Sequence, residues 1–167
     1  MMQSKTFMIR RATDQDRAIQ REIIREAWEG AYTHIFTLEE INALFNGQLQ
    51  QASTWEHLRR EFIRGFVAEA DGQIVGTAGL ALRIDDEGEL VSLYVRPHDQ
   101  GQGIGRALWN ASINLFRELG CRGMRVWVLE RAAAVHFYEQ QGCELIEYGT
   151  YQIGDHQERA RGYRLAL

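Results

Sequence analysis

The sequence predicts an α/β domain (α+β in some schemes), with a mixed sheet and helices packed on its faces. The first observation behind this prediction is that segments with the period of two typical of strands alternate with segments of helical period. The second is that 167 residues suffice for one domain with a sizeable core, and neither a repeat nor a linker divides residues 1–167. The predicted order of elements is β, helices, βββ, α, β, α, ββ.

The N-terminal third is predicted to be mainly helical. Ile19, Ile23 and Ala27 recur on one face of a helix. Either Thr13 or Asp14 can cap the N-terminus of that helix. The predicted elements are a strand at Phe7–Arg11, a helix from the cap to Gly30, and one or two helices between Thr37 and Phe62, broken near Asn46-Gly47 and restarted around Ser53 or Thr54.

Strands and helices alternate in the rest of the chain. Asp71-Gly72 lies between two apolar runs and is typical of a tight hairpin turn. Pro97, the only proline, ends a strand, and Gly120 ends an amphipathic helix. The predicted elements are strands at 66–70, 73–84 and 89–95, a helix at 104–119, a strand at 124–129, a helix at about 132–141, and closing strands at about 143–151 and 157–167.

Composition and charge narrow the classes of function. The formal net charge of −4 argues against a nucleic-acid-binding surface, which is normally basic. The N-terminal residues lack the apolar stretch of a signal peptide, and no segment approaches the ~18 apolar residues of a membrane span. A cytoplasmic protein without membrane association is therefore expected. The two cysteines and five histidines have no metal-ligand spacing, so no metal is expected either.

A glycine-rich turn, Gln100-Gly101-Gln102-Gly103-Ile104-Gly105-Arg106, connects a strand to a helix. The unpaired N–H groups of a helix's first turn attract anions, and glycines let a phosphate approach the backbone. The turn therefore predicts a pyrophosphate site, to which Arg106 adds a positive charge. A loop without a ligand is the structural alternative. The spacing does not match a nucleotide P-loop, and it fits the dinucleotide fingerprint of an oxidoreductase poorly.

Two segments resemble motifs of the GNAT superfamily of N-acetyltransferases. The run 93–108, with Gln100, Gly103 and Gly105, resembles the family's acetyl-CoA-binding signature, Gln/Arg-x-x-Gly-x-Gly/Ala after a strand. The run 134–143, AVHFYEQQGC, resembles its Ala-x-x-Phe-Tyr-x-x-x-Gly-Phe helix. The order of elements is similar over nearly the whole chain.

The resemblance implies one N-acetyltransferase domain with a mixed, mostly antiparallel sheet and helices on both faces. It also implies acetyl-CoA as cosubstrate, with the backbone of Leu93 and Val95 pairing with the pantetheine arm like an added strand. Arg131 stands where many members have Asn, and it could reach a CoA phosphate or an acidic substrate. The residues assigned to acetyl-CoA are Leu93, Tyr94, Val95, Gln100, Gly101, Gln102, Gly103, Ile104, Gly105, Arg106, Arg131 and Tyr138.

Acetyl transfer requires a neutral amine, stabilisation of charge on the thioester oxygen, and often a proton for the leaving thiolate. By the resemblance, Tyr138 points at the CoA sulfur and is the candidate general acid, while a backbone N–H of the cofactor strand is the oxyanion donor. Glu89 resembles the glutamate that acts as base, often through water, in some members. By the period of two, Glu89 is expected on the same face as Leu93 and Val95. The structural alternatives are a core aromatic and a solvated charge.

The segment 27–36 is rich in aromatic residues and predicts the acceptor pocket. Trp28, Tyr32 and Phe36 could line this pocket, with Glu29 attracting an ammonium group; packing of the helix on the sheet is the alternative. The other tryptophans are predicted to be core or interface residues. They are Trp55, Trp109 and Trp127.

The predicted function is transfer of an acetyl group from acetyl-CoA to a primary amine of a small molecule or peptide, by direct attack in a ternary complex. A non-catalytic CoA-binding regulatory module of the same fold is the alternative, and Arg131 is the only feature that favours it. The apolar closing strands make a homodimer a reasonable expectation.

Overall fold

The structure of the protein, a computed structural model, describes residues 5–56 and 58–167. The residues before Lys5, on which the expectation of no signal peptide partly rests, lie outside the described residues. The strands are β1 (Phe7–Arg11), β2 (Gln51–Ser53), β3 (Arg60–Ala70), β4 (Gln73–Arg83), β5 (Glu87–Val95), β6 (Gly123–Leu129), β7 (Glu144–Ile153) and β8 (His156–Ala166). The helices are α1 (Arg17–Ala31), α2 (Leu38–Phe45), α3 (Ile104–Glu118) and α4 (Ala134–Gln140), with short 3₁₀ turns at Asp14–Asp16 and Pro97–Asp99.

The eight strands of the described residues form one sheet in the order β1-β3-β4-β5-β6-β8-β7-β2. β5 and β6 run parallel to each other, and the other neighbouring pairs are antiparallel. The predicted fold class, a mixed and mostly antiparallel sheet, is confirmed. The single parallel pair lies at the centre of the sheet.

Helices cover both faces of the sheet, as predicted. On one face, Gln20 of α1 donates a hydrogen bond from Nε2 to Oγ1 of Thr77 in β4, at 2.9 Å. On the other face, a Cβ at the neighbouring Gly76 would lie 3.1 and 3.0 Å from the side chains of Ile104 and Leu108 in α3. Because successive residues of a strand face opposite sides, α1 and α3 pack on opposite faces. α2 packs beside α1, and α4 beside α3.

The hairpin between β3 and β4 is confirmed at Asp71-Gly72. Ala70 pairs with Gln73, so the turn has two central residues. Both have positive φ, 51° at Asp71 and 74° at Gly72. This is the backbone of a type I′ turn, whose twist matches that of the flanking strands.

Residues 46–66 depart from the prediction. α2 ends before Asn46-Gly47 as expected, but within the described residues of this segment no helix begins near Ser53 or Thr54. Instead β2 pairs with β7 at the edge of the sheet, and β3 already begins at Arg60. The prediction was wrong because contacts distant in sequence decide this segment. The pairing with β7 and the packing of Trp55 on β6 override a local helical pattern.

The four helices of the described residues are too short or too polar to span a bilayer.

Candidate active site

A slot opens in the middle of the sheet where β5 and β6 separate. The two strands pair in register from Glu87 opposite Gly123 to Leu90 opposite Val126. β5 then continues to Val95 and β6 to Leu129 without further pairing between them. The edge of β5 that faces the slot therefore presents backbone groups that can pair with an extended ligand.

The backbone of Leu93 and Val95 faces this slot. The N–H of Arg96 donates to the carbonyl of Val75 in β4 at 2.8 Å. Because backbone groups of an antiparallel strand alternate between its two edges, Tyr94 also faces β4, where it pairs with Thr77. Leu93 and Val95 consequently face the opposite edge, which is the geometry that the resemblance implies. The carbonyl of Val95 accepts a hydrogen bond from Nε2 of Gln100 at 3.1 Å.

A β-bulge at Val91 decides which side chains face each side of β5. Gly79 lies opposite Ser92 and Leu80 opposite Leu90, so one extra residue is inserted in β5. The bulge reverses the alternation of side chains beyond it. The expectation that Glu89 shares a face with Leu93 and Val95 was therefore wrong. Glu89 lies on the α1 face together with Ser92 and Tyr94.

The glycine turn ends at the N-terminus of α3, at the end of the slot. Gly101 and Gly103 have φ values of 77° and 84°, which L-residues rarely adopt, and a Cβ at either would enter open space. The first helical hydrogen bond of this end runs from the N–H of Ala107 to the carbonyl of Gly103, at 3.0 Å. The N–H groups before Ala107 thus remain available to an anion, and the exposed Arg106 adds a positive charge.

Gln100 and Tyr94 were both assigned to acetyl-CoA, but their side chains make other contacts. The side chain of Gln100 braces the turn against Val95. The hydroxyl of Tyr94 lies on the α1 face and accepts a hydrogen bond from Nε1 of Trp28 at 3.0 Å. Tyr94 is thus placed to contact an acceptor by its side chain, and its backbone is committed to β4.

Tyr138 reaches the slot from α4. It lines a narrow cleft of about 40 Å³ with residues 90–94 of β5 and 126–128 of β6. Its ring packs at 5.8 Å from that of Trp109 and at 5.4 Å from that of Phe137. Burial raises the pKa of the Tyr138 hydroxyl above its ordinary value, with a further contribution from Tyr94. The hydroxyl therefore stays protonated at neutral pH, as a proton donor must.

An aromatic cavity of about 260 Å³ lies on the α1 face, directly against the slot. It shares Tyr94, Ser92 and Trp127 with the cleft that contains Tyr138. The aromatic residues of its wall are Trp28, Tyr32, Trp55, Tyr94, Trp127 and Tyr151. A molecule in this cavity can thus reach the slot from the face opposite α3 and α4.

Glu89 lies in the wall of this cavity and is paired with Arg60. Nη1 of Arg60 is 2.7 and 3.0 Å from the two carboxylate oxygens of Glu89. The Glu89 side chain is only 5% exposed. The alternative prediction, that Glu89 is a solvated charge at the end of a strand, is therefore wrong. The sequence gives no signal for Arg60, because the pairing depends on the early start of β3.

Only some of the residues predicted to contact the acceptor line the aromatic cavity. Trp28 and Tyr32 line the aromatic cavity, whereas Phe36 is completely buried beneath them and belongs to the core. Glu29 is outside the cavity wall formed by the described residues, and Oε1 of Glu29 accepts a hydrogen bond from Nε of Arg25 at 3.0 Å. The residue sits on a different side of α1 from Trp28, so we do not retain it as an ammonium-binding group.

Trp55 and Trp127 are the site residues that the sequence did not indicate. Their rings stack at 4.3 Å with an angle of 4° between the planes, in the wall of the cavity. Trp109, by contrast, is buried between α3 and α4 as expected. The position of Trp55 follows from β2, which local patterns did not predict.

Arg131 has partners other than those suggested. Its guanidinium bonds to Glu158 of β8 and donates to the carbonyls of His34 and Ile35, at 3.1 and 3.5 Å. These bonds fix the loop after α1, which also forms a hydrogen bond between the His34 ring and the Arg131 carbonyl. The contacts favour a structural role for Arg131, and we do not retain it as a phosphate ligand.

Among residues 5–56 and 58–167, no group of three or more acidic, histidine or cysteine side chains is arranged to hold a metal ion.

Comparison with known proteins identifies the family. Residues 21–143 match the model of the acetyltransferase (GNAT) family. The chain is 25% identical over 132 residues to the uncharacterized N-acetyltransferase YuaI of Bacillus subtilis, which covers 77% of this chain and 75% of that protein. It is 29% identical over 123 residues to the uncharacterized N-acetyltransferase Rv2669 of Mycobacterium tuberculosis, with coverage of 72% and 78%.

Solved structures share the fold. The PaiA N-acetyltransferase of Thermoplasma acidophilum, in complex with coenzyme A, has a TM-score of 0.72 at 18% identity and covers 97% of this chain and 99% of its own. A GNAT family acetyltransferase of Brucella melitensis, in complex with acetyl-CoA, has a TM-score of 0.60 at 20% identity, with coverage of 98% and 89%. Since the family match spans most of the chain and the fold agrees throughout, the protein belongs to the GNAT family of acetyltransferases.

Proposed function

We propose that the protein is an N-acetyltransferase that moves the acetyl group of acetyl-CoA to a primary amine of a small molecule or peptide, by direct attack in a ternary complex. The observation that carries the proposal is the slot between β5 and β6. The glycine turn and Tyr138 border the slot on one face of the sheet, and the aromatic cavity borders it on the other face. Donor and acceptor can thus approach the same point from opposite faces of the sheet.

Acetyl-CoA would be held by backbone groups. Leu93 and Val95 would pair with the pantetheine arm along the open edge of β5, and the first amides of α3 would bind the pyrophosphate. The residues present fit this role, because Gly101 and Gly103 leave open space over the turn. The relatives in complex with coenzyme A or acetyl-CoA support the same cosubstrate.

The chemistry needs one proton removed and one supplied. The amine nitrogen attacks the carbonyl carbon of the thioester, and the carbon–sulfur bond breaks as the thiolate leaves. A backbone N–H of the open β5 edge stabilises the charge on the carbonyl oxygen. Tyr138 donates its proton to the sulfur, and Glu89 accepts the proton of the amine through water. Arg60 contacts both oxygens of Glu89, which fixes the position of the carboxylate in the wall of the cavity.

Replacing Tyr138 by Phe tests the role of the proton donor. We expect kcat to fall about 100-fold, because general acid catalysis is lost, while the KM for acetyl-CoA stays nearly constant. The measurement is thiol release from acetyl-CoA in the presence of a panel of amines. Tyr148→Phe is the matched control, since Tyr148 is 49% exposed on β7 and outside the slot.

Two outcomes would contradict the proposal. If no amine raises thiol release above hydrolysis while acetyl-CoA still binds, the protein is a binding module and not an enzyme. If Tyr138→Phe retains full turnover, Tyr138 is a core aromatic and the proton comes from elsewhere. A cytoplasmic location and a homodimer remain predictions from the sequence.

A further inference from the structure

We propose that the acceptor is a small arylalkylamine, that is, a primary amine joined by a short alkyl chain to one flat aromatic ring, with a single positive charge. This inference rests on the proposed function, because it names the substrate of the same site. It is drawn from the shape and charge of the aromatic cavity.

The stacked indoles of Trp55 and Trp127 form one wall of the cavity, and the neighbouring strands leave room for them. Trp127 pairs with Gly162 of β8 in the sheet. A Cβ at Gly162 would lie 2.9 Å from Cη2 of Trp127, and a Cβ at Gly149 would lie 2.9 Å from Cζ3. The indole therefore rests directly on the backbone of β7 and β8, at two positions where any side chain would displace it. Trp55 stacks on it at 4.3 Å.

The remaining wall continues this aromatic surface. Trp28 lies 4.9 Å from Tyr32 in an edge-to-face arrangement and 6.0 Å from Tyr151, while Tyr151 lies 6.2 Å from Trp55. Aromatic side chains that converge on one space favour a flat ring, which can stack on one neighbour and meet the edge of another. The same faces attract a single cation before it is deprotonated.

The charges of the wall suit a monocation. The charged residues among its described members are Glu56, Arg60 and Glu89. Arg60 and Glu89 neutralise each other, which leaves the exposed carboxylate of Glu56 as the net charge. A diamine or aminoglycoside would bring ammonium groups that this wall cannot pair. The carboxylate of an amino acid would have to be desolvated beside aromatic rings, which is costly.

The position of the cavity determines how far the amine of the acceptor must reach from the aromatic ring. Its volume of about 260 Å³ accommodates one ring and a short chain, and a second cavity of about 540 Å³ adjoins it along Ile24, Trp28, Gln51 and Ser92. Of the two stacked indoles, Trp127 also borders the slot together with Tyr94, whereas Trp55 lines the cavity alone. A ring against Trp55 thus directs an alkyl chain of a few atoms towards the thioester.

The experiment compares matched amines with the purified protein and acetyl-CoA. The probe is phenethylamine, in which an ethylene chain joins a phenyl ring to the amine. We expect it to be acetylated with a higher kcat/KM than phenylalanine, 1,4-diaminobutane and an alanine-initiated tripeptide, by at least about tenfold each. Cyclohexylethylamine, which has the same length without a flat ring, should have a KM several-fold higher. Calorimetric titration of phenethylamine into the CoA-saturated protein supplies a binding readout that is independent of turnover.

Trp55→Leu tests the stacked indoles, and Tyr148→Leu is its control. Trp55→Leu should raise both the KM and the calorimetric Kd for phenethylamine about tenfold, because an aromatic contact is lost. The KM for acetyl-CoA should not change. Tyr148→Leu removes an aromatic ring of the same sheet outside the cavity and should leave all constants unchanged.

The results separate this inference from the proposed function. If some amine is acetylated but the tripeptide, the diamine or phenylalanine is preferred, or if Trp55→Leu leaves the acceptor KM constant, the arylalkylamine is wrong and the acetyltransferase stands. If no amine in the panel is acetylated, both proposals fail together.

Discussion

Arg60 and Glu89 are the most tightly coupled charged residues of the aromatic cavity. Their side chains are 15% and 5% exposed, and a single guanidinium nitrogen contacts both carboxylate oxygens. Two charges buried together compensate each other, whereas one buried alone must bear the whole cost of desolvation. The ion pair therefore contributes to the stability of the sheet, and it also holds Glu89, the candidate base, in position.

Removing Arg60 alone should destabilise the protein more than removing both charges. We expect Arg60→Met to lower the free energy of unfolding by about 3 kcal/mol, since Glu89 is left without a partner. Arg60→Met combined with Glu89→Gln should recover much of this loss. Arg64→Met is the control, because Arg64 and its partner Asp14 are 57% and 70% exposed. It should change stability by less than about 0.5 kcal/mol.

Urea denaturation of the four proteins provides the measurement. The idea fails if Arg60→Met is as stable as Arg64→Met, or if the double variant is less stable than Arg60→Met.

The sequence predicts residues whose role depends on a local motif better than residues brought in from a distance. Tyr138 and the glycines belong to contiguous patterns, and both lie at the slot. Trp55 and Arg60 reach the cavity through the loop that joins β2 to β3 and through the start of β3, and no local periodicity marks them. Trp127 could have been suspected from its place on a buried strand, but its contact surface depends on Gly149 and Gly162 of other strands.

At the scale of elements, α3 offers a direct comparison of its two ends. Gly103 precedes the helix and Gly120 follows it, with φ values of 84° and 78°. A Cβ at either position would meet nothing within 4 Å. The two glycines are thus equivalent in backbone strain and in space, and they differ only in that Gly103 belongs to the candidate pyrophosphate site.

Alanine at each position separates strain from ligand binding. Gly103→Ala and Gly120→Ala should each lower the free energy of unfolding by about 1 kcal/mol, because an L-residue is strained at positive φ. Only Gly103→Ala should weaken acetyl-CoA binding, with a rise in Kd of about tenfold, since the added methyl group covers the amides of the turn. Calorimetry with acetyl-CoA measures the difference. Equal affinities in the two variants would contradict a phosphate site at this turn.

The element that the sequence could not specify is β5. Its residues 89–95, ELVSLYV, are mostly apolar and do not alternate with polar residues, so their pattern cannot locate an irregularity, and the bulge at Val91 becomes evident only from the pairing with β4. That single inserted residue moves Glu89 to the same face as Tyr94 and so to the aromatic cavity. The order of elements along the chain, apart from β2, followed from turn residues and period, because the hairpin at Asp71-Gly72 and the helix ends at glycine are local features.

At the scale of the whole molecule, the slot is bordered from both faces of the sheet. Tyr138 and α3 approach it from one face, and Trp28 and Tyr94 from the other. This arrangement allows both substrates to be bound together, so no group of the protein needs to carry the acetyl group. The cysteines also argue against a covalent intermediate, because a thiol acts as nucleophile only as the thiolate. Burial raises the pKa of Cys143 to about 11, and it also raises the pKa of Cys121.

Initial rates should therefore follow a ternary-complex mechanism. Double-reciprocal plots against acetyl-CoA at several fixed concentrations of phenethylamine, or of another amine that the panel identifies, should intersect. Parallel lines are the signature of a ping-pong mechanism and would contradict direct attack. Incubation with acetyl-CoA alone should leave the intact mass of the protein unchanged, and a Cys121→Ser, Cys143→Ser variant is the control. A gain of one acetyl group that disappears in this variant would place the acetyl group on a cysteine. Unchanged mass together with intersecting lines would support direct transfer of the acetyl group from acetyl-CoA to the amine.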